Sequence, residues 1–234
     1  MKNTRERLLR SACKIFGDNG FRDANVADIC KDANANIAAI NYHYGGKKKL
    51  YVEVLRSTAR WAEEEYPLFV PKEDLPDPEE RIAHFIRVHF ARTFSESRAA
   101  VFARLLFHEM DNPTFAHHSV FRELMRPRVD FLRGAMREFM GKEIPEEAWE
   151  LSIMSVISLC AFLEFKPRAR ERVLRRHQQT GNPVDRLTAH TIRFALAGLR
   201  VTRDVLLKEA GHHRDAPADP GLSKLEGERQ HGCA

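Results

Sequence analysis

The sequence predicts an all-α protein in two parts, a small three-helix head and a larger helical domain behind it. Three observations carry that expectation. Apolar residues recur at helical spacing in almost every segment, and no stretch alternates long enough for a strand. Pro67, Pro71, Pro76 and Pro78 crowd residues 66–78 and mark a boundary. The charge divides near the same place. Of 234 residues, the first 60 hold 12 basic and 6 acidic side chains, a net of +6, and the remaining 174 hold 26 basic and 27 acidic. A basic head on a near-neutral body is the pattern of a polyanion-binding module, although a solvated basic face has the same composition.

The elements follow in order. Leu8, Leu9, Ala12, Cys13, Ile15 and Phe16 lie at helical spacing, and Asp18-Asn19-Gly20 offers turn chemistry, so a first helix is expected to end at Gly17–Gly20. Asn25 is an N-cap with Asp28 three residues on, and Val26, Ile29 and Cys30 form one apolar face. After Ala33-Asn34-Ala35, Asn36 is a second N-cap before Ile37 and Ile40, and Gly45-Gly46 ends that short helix. A longer one runs from Lys47 through Tyr51, Val54, Leu55 and Thr58 toward Glu65.

Beyond the prolines, Glu79–Phe94 and Ser97–Met110 read as amphipathic helices. A long helix from Phe115 to Met140 is expected to kink or break at Pro127. Pro145–Phe165 is apolar nearly all round, which calls for burial on every side, in a core or against another subunit. Residues 166–182 form a basic connector. Pro183 starts a last helix marked by Leu187, Thr191, Phe194, Gly198, Val201 and Val205. From Gly211 onward the composition is that of a disordered tail.

Composition excludes several classes. Hydrophobic residues at 43% and charged residues at 30% are ordinary for a globular protein. Cys13, Cys30, Cys160 and Cys233 are scattered with no C-x-x-C pair, which argues against a disulfide framework or zinc ribbon and fits a reducing cytoplasm. No apolar leader opens the chain, and the longest uncharged apolar run, Leu151 to Leu163, is too short to span a bilayer.

Residues 25–44 have the spacing of a helix-turn-helix. Such a motif needs small or polar residues on the outer face of its second helix, so that the backbone approaches base edges in the major groove. Ala38, Ala39 and Asn41 meet that need: Asn41 is able to pair with adenine and the alanine methyls with thymine methyls. Tyr42 and His43, with Lys47 and Lys48 opening the next helix, are placed to hold phosphates. Taken alone the motif is also compatible with a structural helix pair.

The stretch from Asn25 to Tyr51 resembles the DNA-binding domain of TetR-family transcriptional regulators. The resemblance rests on Val26, Asp28, Ile29, Ala33, the run Ile37-Ala38-Ala39-Ile40-Asn41-Tyr42-His43-Tyr44, then Lys47, Leu50 and Tyr51, with the Arg5–Phe16 helix and Gly20-Phe21 before it. Glu109–Pro113 and Arg126-Pro127 resemble, more loosely, a branch whose recognition helix reads I-A-A-I-N-Y-H-F. The resemblance implies an N-terminal three-helix helix-turn-helix DNA-binding domain (1–50), a connecting helix and Pro-rich boundary (51–78), an effector-binding and dimerisation domain (79–208) and a tail (211–234). It implies a homodimer that represses transcription from a palindromic operator until a small-molecule effector releases it. Asn25, Asn36, Ala38, Ala39, Asn41, Tyr42, His43, Lys47 and Lys48 fall on DNA-contacting places, and Tyr44 falls where the family has a buried Phe. Asn34 stands where the family turn has Gly, a substitution that the left-handed region tolerates for Asn.

Catalysis finds no foothold. His108-Glu109 lacks the second His of a zinc H-E-x-x-H because position 112 is Asn112, Gly46-Lys47 lacks the rest of a P-loop, and no G-x-S-x-G is present. No cofactor or metal is called for. For the effector, Phe90, Phe107, Phe131 and Phe162 are candidate pocket aromatics, with Arg104 and His108 as the polar pair that orients the ligand. The dimer interface is expected from Ile153, Val156, Ile157 and Cys160 on one helix and Thr191, Phe194 and Gly198 on the last.

Overall fold

The computed structural model describes residues 3–161, 171–172, 175 and 181–215. Phe162 and most of the expected basic connector lie outside the described residues, as does the tail beyond Asp215.

The described chain is helical throughout, in the order α1 (Thr4–Asp23), α2 (Val26–Asp32), α3 (Ile37–Tyr44), α4 (Lys47–Glu65), α5 (Pro78–Phe94), α6 (Ala99–Asp111), a π-helical turn (His117–Phe121), α7 (Arg122–Met140), α8 (Glu146–Ala161) and α9 (Pro183–Asp215). The helix starts are chemically explicit. Asn25, Asn36 and Asp77 each stand just before a helix and accept, through the side-chain oxygen, the backbone N–H two residues on. Pro78 then occupies the first turn of α5, where no N–H is needed.

Three expected boundaries move. The first helix does not stop at Gly17–Gly20: it breaks at Gly20, whose φ of 71° is left-handed, and resumes to Asp23. Pro127 does not break α7; the interruption lies upstream, in the π-helical turn. Pro127 sits in the second turn and faces solvent, where water can satisfy the carbonyl that its missing N–H leaves open. The last helix also runs past Lys208, to Asp215.

Among the described residues, two large cores and a smaller cluster of Ala59, Ala62, Ala99 and Phe102 hold the molecule. In the head, Leu8, Ala12 and Phe16 of α1 meet Ile29 of α2, Ile40 of α3 and Leu50, Tyr51, Val54 and Leu55 of α4. That cluster also takes in Leu105 of α6 and Ala116 and Val120 near the π-helical turn, so the head is packed onto the second domain. The larger core gathers Phe85, Ile86 and Phe90 of α5, Leu132, Met136 and Phe139 of α7, Trp149, Ile153 and Val156 of α8, and Ala195 and Leu199 of α9.

This packing corrects the expected dimer face. Ile153, Val156, Cys160 and Thr191 are buried inside their own chain, and Ile157 is half-buried against the same core. Phe194 and Gly198 are exposed. Nor is α8 buried all round, because Leu151 and Met154 (63% exposed) point outward. A helix that reads apolar on every side has put one side into its own core and kept the other at the surface.

Candidate nucleic-acid interface and ligand cavity

The helix-turn-helix is set by local chemistry. Ala33 ends α2, and Asn34 takes φ 48°, the left-handed conformation the turn requires. Arg7 of α1 braces that turn, donating from Nε to the Ala33 carbonyl at 3.0 Å and from Nη2 to the Asn34 carbonyl at 3.4 Å. On α3, Ile40 and Tyr44 point inward. The Tyr44 hydroxyl donates to the Arg5 carbonyl at 2.6 Å, and burial pushes its phenol up to about 12. Tyr44 therefore packs.

The outer face of α3 presents Ile37, Ala38, Asn41 and Tyr42, the last 86% exposed, with Ala39 half-buried beside them. The Asn41 carboxamide makes no hydrogen bond to the described residues and is open to a base edge. Asn25 and Asn36 commit their oxygens as caps and keep their NH2 groups as donors. Beside this face, Arg5, His43, Lys48, Lys49 and Arg56 line a shallow cleft of basic character with Glu53. Ile37, Lys49 and Arg56, which the sequence motif alone does not single out, lie on or beside this exposed face.

Lys47, expected at a phosphate, also makes contacts within its own chain. Its ammonium lies 4.7 Å from the Phe21 ring centre and donates to the Arg22 carbonyl at 3.4 Å. Burial pulls its pKa below the ordinary lysine value, with Asp23 opposing. It ties α4 to the end of α1. Lys48 is exposed, with its ammonium 5.5 Å from the Phe115 ring.

Among the described residues, the expected effector set is not brought into one pocket. Arg104 and His108 share one face of α6, but that face meets α1. The His108 Nε2 lies 3.2 Å from the Gly17 carbonyl, and Arg104 pairs with Asp18 at 3.8 Å across the surface. A Cβ on Gly20 would come within 3.1 Å of the His108 ring, so glycine is required there by contact as well as by φ. Phe90 is core, Phe107 is half-buried beside His108, and Phe131 packs against Phe69 and His84.

A cavity lined by described residues of the larger domain lies elsewhere, between α5, α6, α7 and α8 under Leu68. Its volume is about 90 Å³. Its apolar wall includes Phe85, Val88, Phe102, Leu106, Ile157 and Cys160, and His89, Arg92, Thr93 and Arg128 are its polar members. Arg92 is only 4% exposed. It donates from Nη2 to Glu63 at 2.6 Å and from Nε to the Tyr66 carbonyl at 3.0 Å. Burial pushes the Glu63 carboxyl up, but the Phe69 amide, the Arg92 guanidinium and the Leu68 amide outweigh it and hold the group below the usual carboxylate range. The sequence did carry a signal for Arg92: it falls at i+7 from Phe85 and i+4 from Val88, a charge in line with apolar residues.

Between head and body lies a buried polar junction. The Tyr51 hydroxyl of α4 donates to Glu109 of α6 at 2.6 Å, and Thr114 donates to the same carboxylate from its hydroxyl at 2.7 Å and its amide at 3.2 Å. Glu109 is fully buried.

Comparison with known proteins fits both halves. A model of the tetR family of bacterial regulatory proteins matches residues 8–54, and one of the C-terminal domain of the HTH-type transcriptional dual regulator CecR matches residues 78–199. The HTH-type transcriptional repressor NicS of Pseudomonas putida is 32% identical over 84 residues, 36% of this chain and 38% of that protein. The chain spans about half or less of the length of the curated relatives it matches first. Among solved structures, the regulator FadR from Bacillus subtilis in complex with stearoyl-CoA has a TM-score of 0.61 at 14% identity, covering 82% of this chain and 98% of that one. A regulator from Saccharomonospora viridis in complex with choline has a TM-score of 0.56 at 18% identity, covering 81% and 94%. These last two likenesses are of fold.

Proposed function

We propose that this chain, which belongs to the TetR family of bacterial regulatory proteins and carries a CecR-type C-terminal domain, is a DNA-binding transcriptional repressor. It sits on a palindromic operator in the cytoplasm and is released by a small molecule. The observation that carries the reading is the outer face of α3, where a free Asn41 carboxamide lies among small and aromatic neighbours beside the basic cleft. Asn41 and the alanines read bases. Asn25, Asn36, Tyr42, His43, Lys48 and Lys49 hold phosphates, while Lys47 positions α4.

A palindrome requires two recognition helices about 34 Å apart, hence a homodimer. The face it would use is the exposed one of α8 and α9, with Leu151, Met154, Phe194, Val201 and Val205 at the surface and Gly198 permitting close approach. A second copy of the chain covers this stripe. Effector binding in the α5–α8 cavity shifts the dimer toward a spacing that no longer matches the half-sites, to the extent of its differential affinity for the two states.

Selection of bound duplexes from a random pool by the purified protein at physiological salt, followed by sequencing, tests the reading. An enriched palindrome is expected. Retention without enrichment, or a monomer by light scattering at micromolar concentration, would overturn it.

A further inference from the structure

We infer that the cavity of the larger domain takes an amphipathic organic anion, a carboxylate on a short aliphatic or aromatic body, held by Arg92 in competition with Glu63. This deepens the reading of the cavity as the effector site and rests on it. Among the described residues that line the cavity, the fixed charges are the guanidinium groups of Arg92 and Arg128, and no Asp or Glu joins them. The rest of the wall is almost wholly apolar, so a ligand needs an apolar body and a head group that tolerates two cations.

Arg92 sets the chemistry of that head group. Its Nε and Nη2 are engaged by Tyr66 and Glu63, but its Nη1 is buried with no hydrogen-bond partner among the described residues. A buried donor left unmatched is unfavourable, and an oxygen brought by a ligand corrects it. A carboxylate matches the guanidinium fork best, because the pairing is charge-assisted and planar. An alcohol supplies a weaker acceptor. A quaternary ammonium of the choline type meets like charge on both sides of the cavity. Arg128 holds its guanidinium carbon 4.8 Å from the Phe102 ring centre, which places the second cation beside an aromatic wall.

Size ties binding to movement. The cavity of about 90 Å³ is smaller than the engineered cavity of about 150 Å³ that admits benzene. A body of benzene size or larger must part the walls. The wall with the most to lose is the one Arg92 clamps, since Glu63 is in the last turn of α4 and accepts the Leu68 and Phe69 amides as well. A second carboxylate on Arg92 shares its donors with Glu63 and repels it, loosening the end of the helix whose other end follows α3.

The test is calorimetric titration of the full chain, without DNA, with octanoate and 3-phenylpropanoate, with the alcohols 1-octanol and 3-phenylpropan-1-ol, and with octyltrimethylammonium. At least one carboxylate should bind about tenfold tighter than its alcohol, and the ammonium should not compete. Arg92→Gln should abolish the preference while leaving the alcohol affinity in place. Should that variant not fold, Arg128→Gln should reduce the preference at least threefold. Glu63→Gln should strengthen carboxylate binding severalfold by removing the competitor, an increase that a merely structural role for Glu63 would not produce. An alcohol or ammonium that binds as well as the carboxylate, no carboxylate binding up to about 10 mM, or a weaker Glu63→Gln variant overturns the inference. Because the titration is read without DNA, its failure beside an enriched palindrome removes only the ligand class. Carboxylate binding beside failed duplex selection removes only the operator reading.

Discussion

Tyr51→Phe isolates the junction between head and body. Tyr51 is fully buried, and its hydroxyl is one of two donors to the same oxygen of Glu109, at 2.6 Å; the other is the Thr114 hydroxyl at 2.7 Å. The substitution deletes one oxygen and disturbs packing little, so its cost is the lost hydrogen bond. Hydrogen bonds to charged groups contribute about 1.5–3 kcal/mol, and the surviving Thr114 donor keeps the expected loss near the lower half, about 2 kcal/mol. For a chain of this size each kcal/mol lowers Tm by about 2–4 °C, giving a fall of roughly 4–8 °C in a calorimetric melt. The reasoning has an internal check. In a Glu109→Gln background the acceptor is neutral, and the same Tyr51→Phe step should cost only about 1 kcal/mol. Burial, reinforced by Glu109, also pushes the Tyr51 phenol up, so the hydroxyl is a donor at every pH at which the protein is handled. A Tyr51→Phe loss below about 0.5 kcal/mol, or an equal loss in both backgrounds, would refute the assignment.

Gly20→Ala should destabilise by about 1–2 kcal/mol from the left-handed φ alone, with more from displacing His108, and a urea titration would read it; a neutral result would mean that the α1–α6 contact yields without cost. Asn41→Ala should cost about 1–3 kcal/mol of operator binding and relax preference at one base position, whereas Lys48→Ala should weaken all sequences alike and flatten the salt dependence by about one unit. Quantitative shift assays on single-base operator variants at several salt concentrations separate the two. Glu63 gives a pH prediction. Its folded pKa lies below the usual glutamate value, so the unfolded chain binds the extra proton and stability rises with pH through the ordinary carboxylate range. The stability difference between wild type and Glu63→Gln should be full near neutral pH and shrink as pH falls below that value; a difference constant down to pH ~3 would deny the shift.

What the sequence disclosed is local, and what it withheld is long-range. The caps at Asn25 and Asn36 were readable because capping is decided within three residues, and the place of Asn34 in the turn is implied by the family resemblance, with Asn a residue that tolerates the left-handed conformation. The inward turn of Tyr44 is what the family resemblance implies, since the family has a buried Phe at that place. Arg104 and His108 were rightly seen as one helix face, but spacing cannot say what a face meets, and theirs meets α1. The clamp of Arg92 on Glu63 and Tyr66 joins residues 29 and 26 positions apart, beyond the reach of any periodic pattern. The apolar residues of α8 were identified correctly, yet their division between core and surface depends on where α5 and α9 lie.

The two ends of α4 have different partners, and that asymmetry suits the helix to carry a signal. At its start Lys47 is fastened to Phe21 and Arg22 of α1, and in its second turn Tyr51 is fastened to Glu109 of α6. At its end Glu63 is held by Arg92 of α5 and by the Leu68 and Phe69 amides. The head core is completed by Leu105, Ala116 and Val120 from the second domain, so a displacement of α6 is not absorbed by a loose joint. Close-packed interiors respond to such displacements by switching between arrangements rather than by deforming smoothly. A change at the Arg92 end therefore reaches α3 through one rigid helix about 24 Å from Lys47 to Glu63. The Pro-rich segment 66–78 need transmit nothing, because packed helices of the two domains touch one another directly.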